Sequence, residues 1–204
     1  ILKQLADEKI FLLNETQLNV ARGSFVKDYF REKLLATLVP VMLDEHSSMP
    51  ELRDRVLYFF VRLRKGRKTR LAMIEIPDTV SRFLVLPETN NLKFIILLDD
   101  IIRYNLEDVF FIFEHDSIEA YSVQLTSDAE LDLDKEVSEK FIDALTKSLQ
   151  KRKKGKPMRL QYDAEMPLDM LEFLVKKMGL NKESLIPGNR YQNFKDFIKF
   201  HNVG

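Results

Sequence analysis

Apolar side chains recur at helical spacing in the first part of the chain. The positions are Phe25, Val26, Tyr29, Phe30, Leu34 and Leu38. This spacing places them on one face of an α-helix. Ser24 is a suitable N-cap in front of them, and Pro40 is predicted to stop the helix. The pattern therefore predicts a helical lead-in over residues 1–40.

The period then changes from that of a helix to that of a strand. Leu57, Phe59, Val61 and Leu63 alternate with Tyr58, Phe60, Arg62 and Arg64, which predicts a β-strand. Gly66 lies at the tip of a turn into a second strand, Thr69–Ile76. Shorter strands are predicted at Arg82–Leu86, Phe94–Ile96, Ile118–Thr126 and Pro157–Asp163. We expect Pro77, Pro87 and the polar loop Glu88–Asn91 to bound the first two of these.

Helices are predicted between and after these strands. They cover Leu97–Leu106 and Asp134–Arg152, where apolar residues again recur at helical spacing. A further helix is opened by Pro167 and closed by Gly179. This mixed order predicts an α+β (mixed α/β) fold, in which helices pack on a mixed β-sheet and a helical segment precedes it.

The composition is that of a soluble globular protein, with 45% hydrophobic and 31% charged residues. The longest apolar runs, such as Phe94–Leu98, are strand-sized, so no transmembrane segment is predicted. The chain has no cysteine, which excludes disulfides and thiolate metal sites and fits a reducing cytoplasm. Because Ile1 is not methionine, we expect the chain to be a piece of a larger protein.

The net charge is zero, but the basic residues are clustered. The first cluster comprises Arg62, Arg64, Lys65, Arg67, Lys68 and Arg70. The second comprises Lys151, Arg152, Lys153, Lys154 and Lys156. Such clusters can bind phosphate groups. A charged hairpin tip can equally be a solvated edge that resists aggregation, and a helix C-terminus attracts lysine through its dipole.

The common catalytic motifs are missing from the sequence. There is no P-loop, no G-x-G-x-x-G and no nucleophile elbow. His46, His115 and His201 do not have metal-ligand spacing. Carboxylates are paired at Asp99–Asp100 and repeated along Asp128–Asp134, where Mg²⁺ binding or hydrolysis is conceivable. Acidic residues are also common at helix starts, so the residues alone predict a mixed α/β domain with two basic clusters.

Several segments, in order along the chain, resemble those of polyphosphate kinases. Residues 186–197 read I-P-G-N-R-Y-Q-N-F-K-D-F and resemble the family signature I-P-G-G-R-Y-H-N-F-K-D-F. Residues 120–133, A-Y-S-V-Q-L-T-S-D-A-E-L-D-L, and 157–167, P-M-R-L-Q-Y-D-A-E-M-P, are similar to two further family segments. Residues 76–87 and 96–111 also match in order. The resemblance extends from about Leu5 to the end of the chain.

The resemblance implies a place in a larger enzyme. Such enzymes transfer the terminal phosphate of ATP to polyphosphate through a phosphohistidine, with Mg²⁺. Residues 1–40 would pack on the head (middle) domain 41–190, and residues 191–204 would lead to C-terminal catalytic domains. The catalytic histidines and the main nucleotide site would lie outside this chain, so no catalytic residue, metal or bound cofactor is expected here.

The family resemblance also implies a set of partners. These are inorganic polyphosphate and ATP for the parent enzyme, and a second copy of the chain through the head domain. No nucleic acid partner is implied. The location would be cytoplasmic, with membrane association of the longer enzyme left open.

The signature also indicates candidate contact residues. Arg190, Tyr191, Asn193 and Lys195 keep the family pattern and are predicted to contact polyphosphate or to form an interdomain hinge. The chain departs from the pattern where the family has cationic or ionisable residues, which are replaced by Gln124, Ser127 and Gln192. Asn189 replaces a glycine of the signature. Phosphate affinity rests on such charges, so their replacement weakens a phosphate contact at these positions.

Two alternative functions of the chain are a stand-alone polyanion-binding module and an oligomerisation module.

Overall fold

The computed structural model describes residues 2–127 and 158–192 of the 204-residue chain. The described residues form two compact units. The first unit contains residues 2–47 and 58–121, and the second contains residues 48–57, 122–127 and 158–192. The helix predicted at Asp134–Arg152 lies outside the described residues.

Helices and strands are interspersed along the chain, in agreement with the predicted mixed order. The helices are α1 (Leu2–Asp7), α2 (Val20–Tyr29), α3 (Leu98–Tyr104), α4 (Leu106–Val109) and α5 (Leu168–Met178). The strands are β1 (Ile10–Leu13), β2 (Val41–Leu43), β3 (Leu57–Lys65), β4 (Lys68–Glu75), β5 (Phe83–Thr89), β6 (Leu92–Leu97), β7 (Ser117–Ser127), β8 (Met158–Asp163) and β9 (Leu185–Gly188). This confirms the α+β class. No helix of the described residues is long and apolar enough to cross a membrane.

The first unit contains two sheets. One has the strand order β1-β6-β5, with β1 parallel and β5 antiparallel to β6. In the other, β2, β4, β3 and the first half of β7 are neighbours in that order. The prediction that residues 1–40 are helical was wrong for Ile10–Leu13, which form β1. A four-residue apolar run has no diagnostic period, and its partner β6 lies far away in the sequence.

The helical prediction for the segment before Pro40 is confirmed, but its start differs. Helix α2 begins at Val20, and the side chain of Asn19, not Ser24, caps it by accepting a bond from the Arg22 N–H at 2.9 Å. A π-helix (Phe30–Leu34) and a 3-10 helix (Leu35–Thr37) continue it. Asparagine caps as well as serine does, and the stretch from residue 20 to 24 carries little apolar periodicity. The start was therefore predicted too late.

The hairpin predicted around Gly66 is confirmed. Strands β3 and β4 pair up to Lys65 and Lys68, and Gly66 occupies the turn with a φ of +55°. Residues 58–63 are all buried, the polar Arg62 included. Because successive side chains of a strand point to opposite faces, both faces of β3 are covered over these residues.

The β5–β6 hairpin is longer than predicted. Strand β5 runs through Pro87 to Thr89, so Pro87 does not bound it. A proline is tolerated there because β5 is an edge strand, and the pairing shifts register between Leu86 and Thr89. The turn consists of Asn90 and Asn91, both with φ above +50°. Such values are typical of a two-residue hairpin turn.

The second unit combines a sheet with helix α5. The second half of β7 pairs antiparallel with β8, and β8 pairs parallel with β9, a strand that was not predicted. Helix α5 follows Pro167 and ends at Gly179, whose φ is +64°, as predicted. It buries Met170, Leu171 and Leu174.

An ion pair with one buried partner lies between neighbouring strands of the first unit. The Nε of Arg62 on β3 lies 2.6 Å from Oε1 of Glu119 on β7, and only 4% of the Arg62 side chain is exposed. The Tyr121 hydroxyl donates to the other Glu119 oxygen at 2.6 Å. Partial burial alone would raise the pKa of Glu119. The hydrogen bonds and the positive charge of Arg62 outweigh it and lower the pKa below its ordinary value of 4.5.

Replacing Glu119 should destabilise the chain, because the buried guanidinium of Arg62 loses this carboxylate. We expect Glu119→Gln to lower the free energy of unfolding by about 1–3 kcal/mol at neutral pH. This loss of unfolding free energy is smaller than the loss expected on breaking a fully buried ion pair, because a third of the Glu119 side chain is exposed. Because the folded-state pKa is lowered, the wild-type advantage should be complete above about pH 4.5 and shrink as the pH falls through the folded-state value. Urea unfolding between pH 3 and 7 measures this, and Glu114→Gln, an exposed carboxylate of the same unit, is the control.

Gly23 in α2 lies against the side chain of Tyr104 in α3. A Cβ atom built on Gly23 would overlap the hydroxyl oxygen of Tyr104 in α3. We expect Gly23→Ala to destabilise the chain by about 1–2 kcal/mol, because overpacking outweighs the better helix propensity of alanine. Tyr104→Phe, which removes that oxygen, should recover part of the loss in the double variant. Thermal unfolding of Ser24→Ala, an exposed neighbour on α2, is the control; equal losses in both alanine variants would contradict the close approach.

Candidate functional site

The first basic cluster forms the β3–β4 hairpin. Arg64, Lys65, Arg67, Lys68 and Arg70 are exposed, whereas Arg62 is buried. The Arg62 guanidinium is engaged with Glu119 on the neighbouring strand. The sequence therefore grouped six cations that the fold divides into one inward-facing residue and five surface residues.

Asp116 holds the tip of the hairpin. Its carboxylate accepts hydrogen bonds from the backbone N–H of Gly66 at 2.8 Å and from the ammonium of Lys65 at 2.9 Å. Its own backbone N–H donates to the carbonyl oxygen of Arg64 at 2.6 Å. The Gly66 bond, followed by the Lys65 bond, lowers the pKa of Asp116, and Asp116 in turn raises the pKa of Lys65. These bonds attach the tip to the chain just before β7.

The remaining cations differ in their surroundings. The guanidinium of Arg70 lies 5.9 Å from the centre of the Phe113 ring, a cation–π distance. Arg64 is 50% exposed and its Nε lies 3.9 Å from Glu119. Arg67 lies in the turn and Lys68 directly follows it, and neither makes an ion pair with any residue in the described ranges. Arg67 and Lys68 are thus the cations best placed to meet an external anion.

The second candidate site follows β9. The hydroxyl of Ser122 donates to the carbonyl oxygen of Arg190 at 2.8 Å, and the Nε2 group of Gln192 donates to the carbonyl oxygen of Ser122 at 3.1 Å. The side chains of Arg190 and Tyr191 are partly exposed, with the guanidinium 5.9 Å from the Tyr191 ring centre. Asn193, Lys195 and the basic cluster Lys151–Lys156 lie outside the described residues.

The uncharged replacements at positions 124 and 192 are buried. Gln192 is 2% exposed and Gln124 is 8% exposed. The Nε2 group of Gln124 donates to the carbonyl oxygen of Arg55 at 2.8 Å. Arg55 has a left-handed φ of +59°, and its N–H donates to the carbonyl oxygen of Leu125. A buried lysine would lose its hydration at such a position, whereas an amide is satisfied by a backbone carbonyl.

Ser122, a buried residue that makes such bonds, was not singled out from the sequence. Its only sequence signal is a small polar residue that shares one face of the strand with Gln124. The side chain of Ser127, the remaining departure from the family pattern, lies outside the described residues.

The carboxylates of α3 form ion pairs. Asp99 is fully buried, with Oδ2 2.7 Å from Nη2 of Arg82. Asp100 is fully buried, with Oδ1 3.3 Å from Nη1 of Arg103, and the Arg103 guanidinium lies 4.5 Å from the Phe59 ring centre. Within residues 2–127 and 158–192, no group of three or more His, Cys, Asp or Glu side chains could hold a metal ion. The acidic run Asp128–Asp134 and His201 lie outside these ranges.

Comparisons with known proteins agree on one family. Residues 21–200 match the model of the polyphosphate kinase middle domain. Polyphosphate kinases from Vibrio cholerae, Vibrio parahaemolyticus and Escherichia coli K12 are 41%, 40% and 38% identical over 210 residues. Each alignment covers 100% of this chain and 30% of the relative, so the chain spans about a third of the length of these relatives.

A solved structure supports the fold. The crystal structure of polyphosphate kinase from Porphyromonas gingivalis superposes with a TM-score of 0.78 at 24% identity, covering 100% of this chain and 29% of that chain. At this identity the likeness shows the fold alone. Taken with the family match over residues 21–200, it leads to one conclusion: the chain belongs to the polyphosphate kinase family and corresponds to its middle domain.

Proposed function

We propose that this chain is the middle-domain part of an enzyme that transfers the terminal phosphate of ATP to inorganic polyphosphate. The observation that carries the proposal is the match of residues 21–200 to the middle-domain family. In this proposal ATP, Mg²⁺ and the phosphorylated histidine are bound by, or belong to, other parts of a longer protein. We assign no catalytic residue to this chain, which acts as scaffold and as part of the wall along the polyphosphate path.

The proposed polyphosphate contact in the first unit is the hairpin surface formed by Arg64, Arg67, Lys68 and Arg70. Polyphosphate presents a row of anionic oxygens, which guanidinium and ammonium groups bind through charge-assisted hydrogen bonds. Because Asp116 holds the hairpin tip at two points, less conformational freedom is lost on binding. Arg62 and Lys65 neutralise Glu119 and Asp116 and so contribute to the hairpin's shape.

Neutralising the tip tests this contact. We expect the double variant Arg67→Gln, Lys68→Gln of the 204-residue chain to bind sodium polyphosphate more weakly. The slope of log affinity against log salt should fall by about two, roughly one for each lost phosphate contact. Isothermal titration at several salt concentrations measures both quantities. The control is Lys176→Gln with Lys182→Gln, which removes two exposed charges of the second unit.

The outcomes separate the alternatives. Equal losses in the tip and control variants would show that polyphosphate responds to overall charge and would contradict the hairpin contact. The enzyme proposal is tested separately, by ATP-dependent polyphosphate synthesis in the longer protein that carries this chain. Tight binding by the chain without synthesis by the longer protein would favour a stand-alone polyanion-binding module. Stronger binding to single-stranded nucleic acid than to polyphosphate would contradict the substrate assignment.

We also propose that the chain self-associates. Phe111 and Ile112 follow α4 in the first unit and are 78% and 68% exposed. Two adjacent large apolar side chains at this exposure gain free energy when another surface covers them. A second copy of the chain is the partner that the predicted homo-oligomer requires.

Polar substitution of this pair should weaken the association. We expect Phe111→Ser with Ile112→Ser to lower the weight-average sedimentation coefficient of the chain at concentrations where the wild type is associated. Leu168→Ser is the control, because Leu168 is also 68% exposed but lies in the second unit. Identical sedimentation of wild type and double variant would contradict a role for this pair.

A further inference from the structure

Two hydrogen bonds join Ser122 to the segment that carries Arg190. The Ser122 hydroxyl donates to the backbone carbonyl of Arg190 at 2.8 Å, and the Ser122 backbone carbonyl accepts from the side chain of Gln192 at 3.1 Å. Ser122 is fully buried and Gln192 is 2% exposed. We call this pair of bonds the Ser122–Gln192 clip.

The clip encloses a short stretch of backbone. One bond holds the backbone carbonyl of Arg190 and the other holds the side chain of Gln192, so the segment is attached to β7 on both sides of Tyr191. The side chains of Arg190 and Tyr191 nevertheless remain partly exposed. Buried groups therefore hold this segment, while the side chains of Arg190 and Tyr191 are partly accessible to solvent.

This arrangement is suited to positioning. Binding of a phosphate orders both the side chain of an arginine and the backbone that carries it, and a backbone that is already held removes the second part of that cost. Buried hydrogen bonds to backbone carbonyls hold such a backbone more firmly than exposed bonds do. The chemistry of Arg190, a planar guanidinium with several donors, suits the oxygens of a phosphate chain.

We propose that Ser122 and Gln192 are positioning residues that hold the Arg190 guanidinium for contact with condensed phosphate. The inference rests on the proposed function, which supplies the phosphate chain as the ligand. Neither residue touches the ligand. Ser122 acts through the backbone carbonyl of Arg190, and Gln192 acts by attaching the same segment to the backbone carbonyl of Ser122.

The side chain at position 192 can be changed without changing its size. Glutamate has the shape of glutamine, but its ionised carboxylate cannot donate to the carbonyl of Ser122. Burial favours the protonated acid, whose O–H can donate again, so the defect of Gln192→Glu should decrease at lower pH. Histidine, which the family signature carries at this position, has a ring N–H and should preserve the clip.

The experiment is a double-mutant cycle on the 204-residue chain, with sodium polyphosphate of one defined length as the probe. We expect Arg190→Gln to weaken binding roughly tenfold, the effect of one charge-assisted hydrogen bond. Gln192→Glu should weaken binding several-fold at pH 7.5, and less at pH 5.5. Gln192→His should bind like the wild type. In the Arg190→Gln background, Gln192→Glu should cause no further loss.

The control residue lies on β7, the strand that carries Ser122. Gln124 is also a buried glutamine on β7 that donates to a backbone carbonyl, but its partner is Arg55. Gln124→Leu should therefore lower stability without weakening polyphosphate binding. Circular dichroism confirms that each variant is folded, and Ser122→Ala, which removes the other bond of the clip, replaces Gln192→Glu if that variant unfolds.

Three results would overturn the inference. They are a loss for Gln192→Glu no larger than that for Gln124→Leu, a loss that adds fully to that of Arg190→Gln, and unchanged binding in Arg190→Gln itself. These results concern binding to the chain alone. A failure of the longer protein to synthesise polyphosphate would instead contradict the proposed function. The double-mutant cycle, which measures binding to the chain alone, could still be interpreted.

Discussion

The first unit depends on one electrostatic constraint: a guanidinium placed inside the sheet at Arg62 must have a carboxylate beside it. An unpaired buried charge costs several kcal/mol, and Glu119 on the adjacent strand β7 offsets that cost with an N–O distance of 2.6 Å. The pair joins the hairpin strand β3 to β7, and Asp116 reinforces the joint at the hairpin tip. Hairpin shape and hairpin charge therefore have the same origin, since the acids that hold the hairpin also neutralise two of its cations.

The second unit contains two buried amide side chains that bind backbone carbonyls. Gln124 and Gln192 each donate to a backbone carbonyl, and neither needs a counter-charge. This explains physically why amides stand where the family pattern has ionisable residues: burial penalises the charged form of a side chain, whereas an amide in hydrogen-bond contact is not penalised. The uncharged strand weakens any phosphate contact along β7. Arg190, by contrast, is a cation of that unit whose backbone carbonyl is held by a hydrogen bond from Ser122.

Sequence reasoning succeeded where the signal was local. The β3–β4 hairpin followed from alternation and Gly66, and α5 followed from its apolar face and Gly179. Strands β1, β2 and β9 were missed because runs of three or four residues have no measurable period and obtain their partners from distant segments. The burial of Ser122, and the bonds that it makes, could not be predicted either. Alternation tells which residues share a face but does not identify which polar residue on that face will find a partner.

The same limit applies to charge. The chain has 32 basic and 32 acidic residues, and a run such as 62–70 gives no sign of which cations the fold will use internally. In the structure Arg62, Arg82 and Arg103 face carboxylates with side-chain exposures of 12% or less. Arg67 and Lys68 lie at a turn, where no ion pair forms within the described ranges. A neutral domain can therefore attract a polyanion at one edge, because attraction at contact distance depends on the few cations left without a carboxylate and not on the sum over the chain.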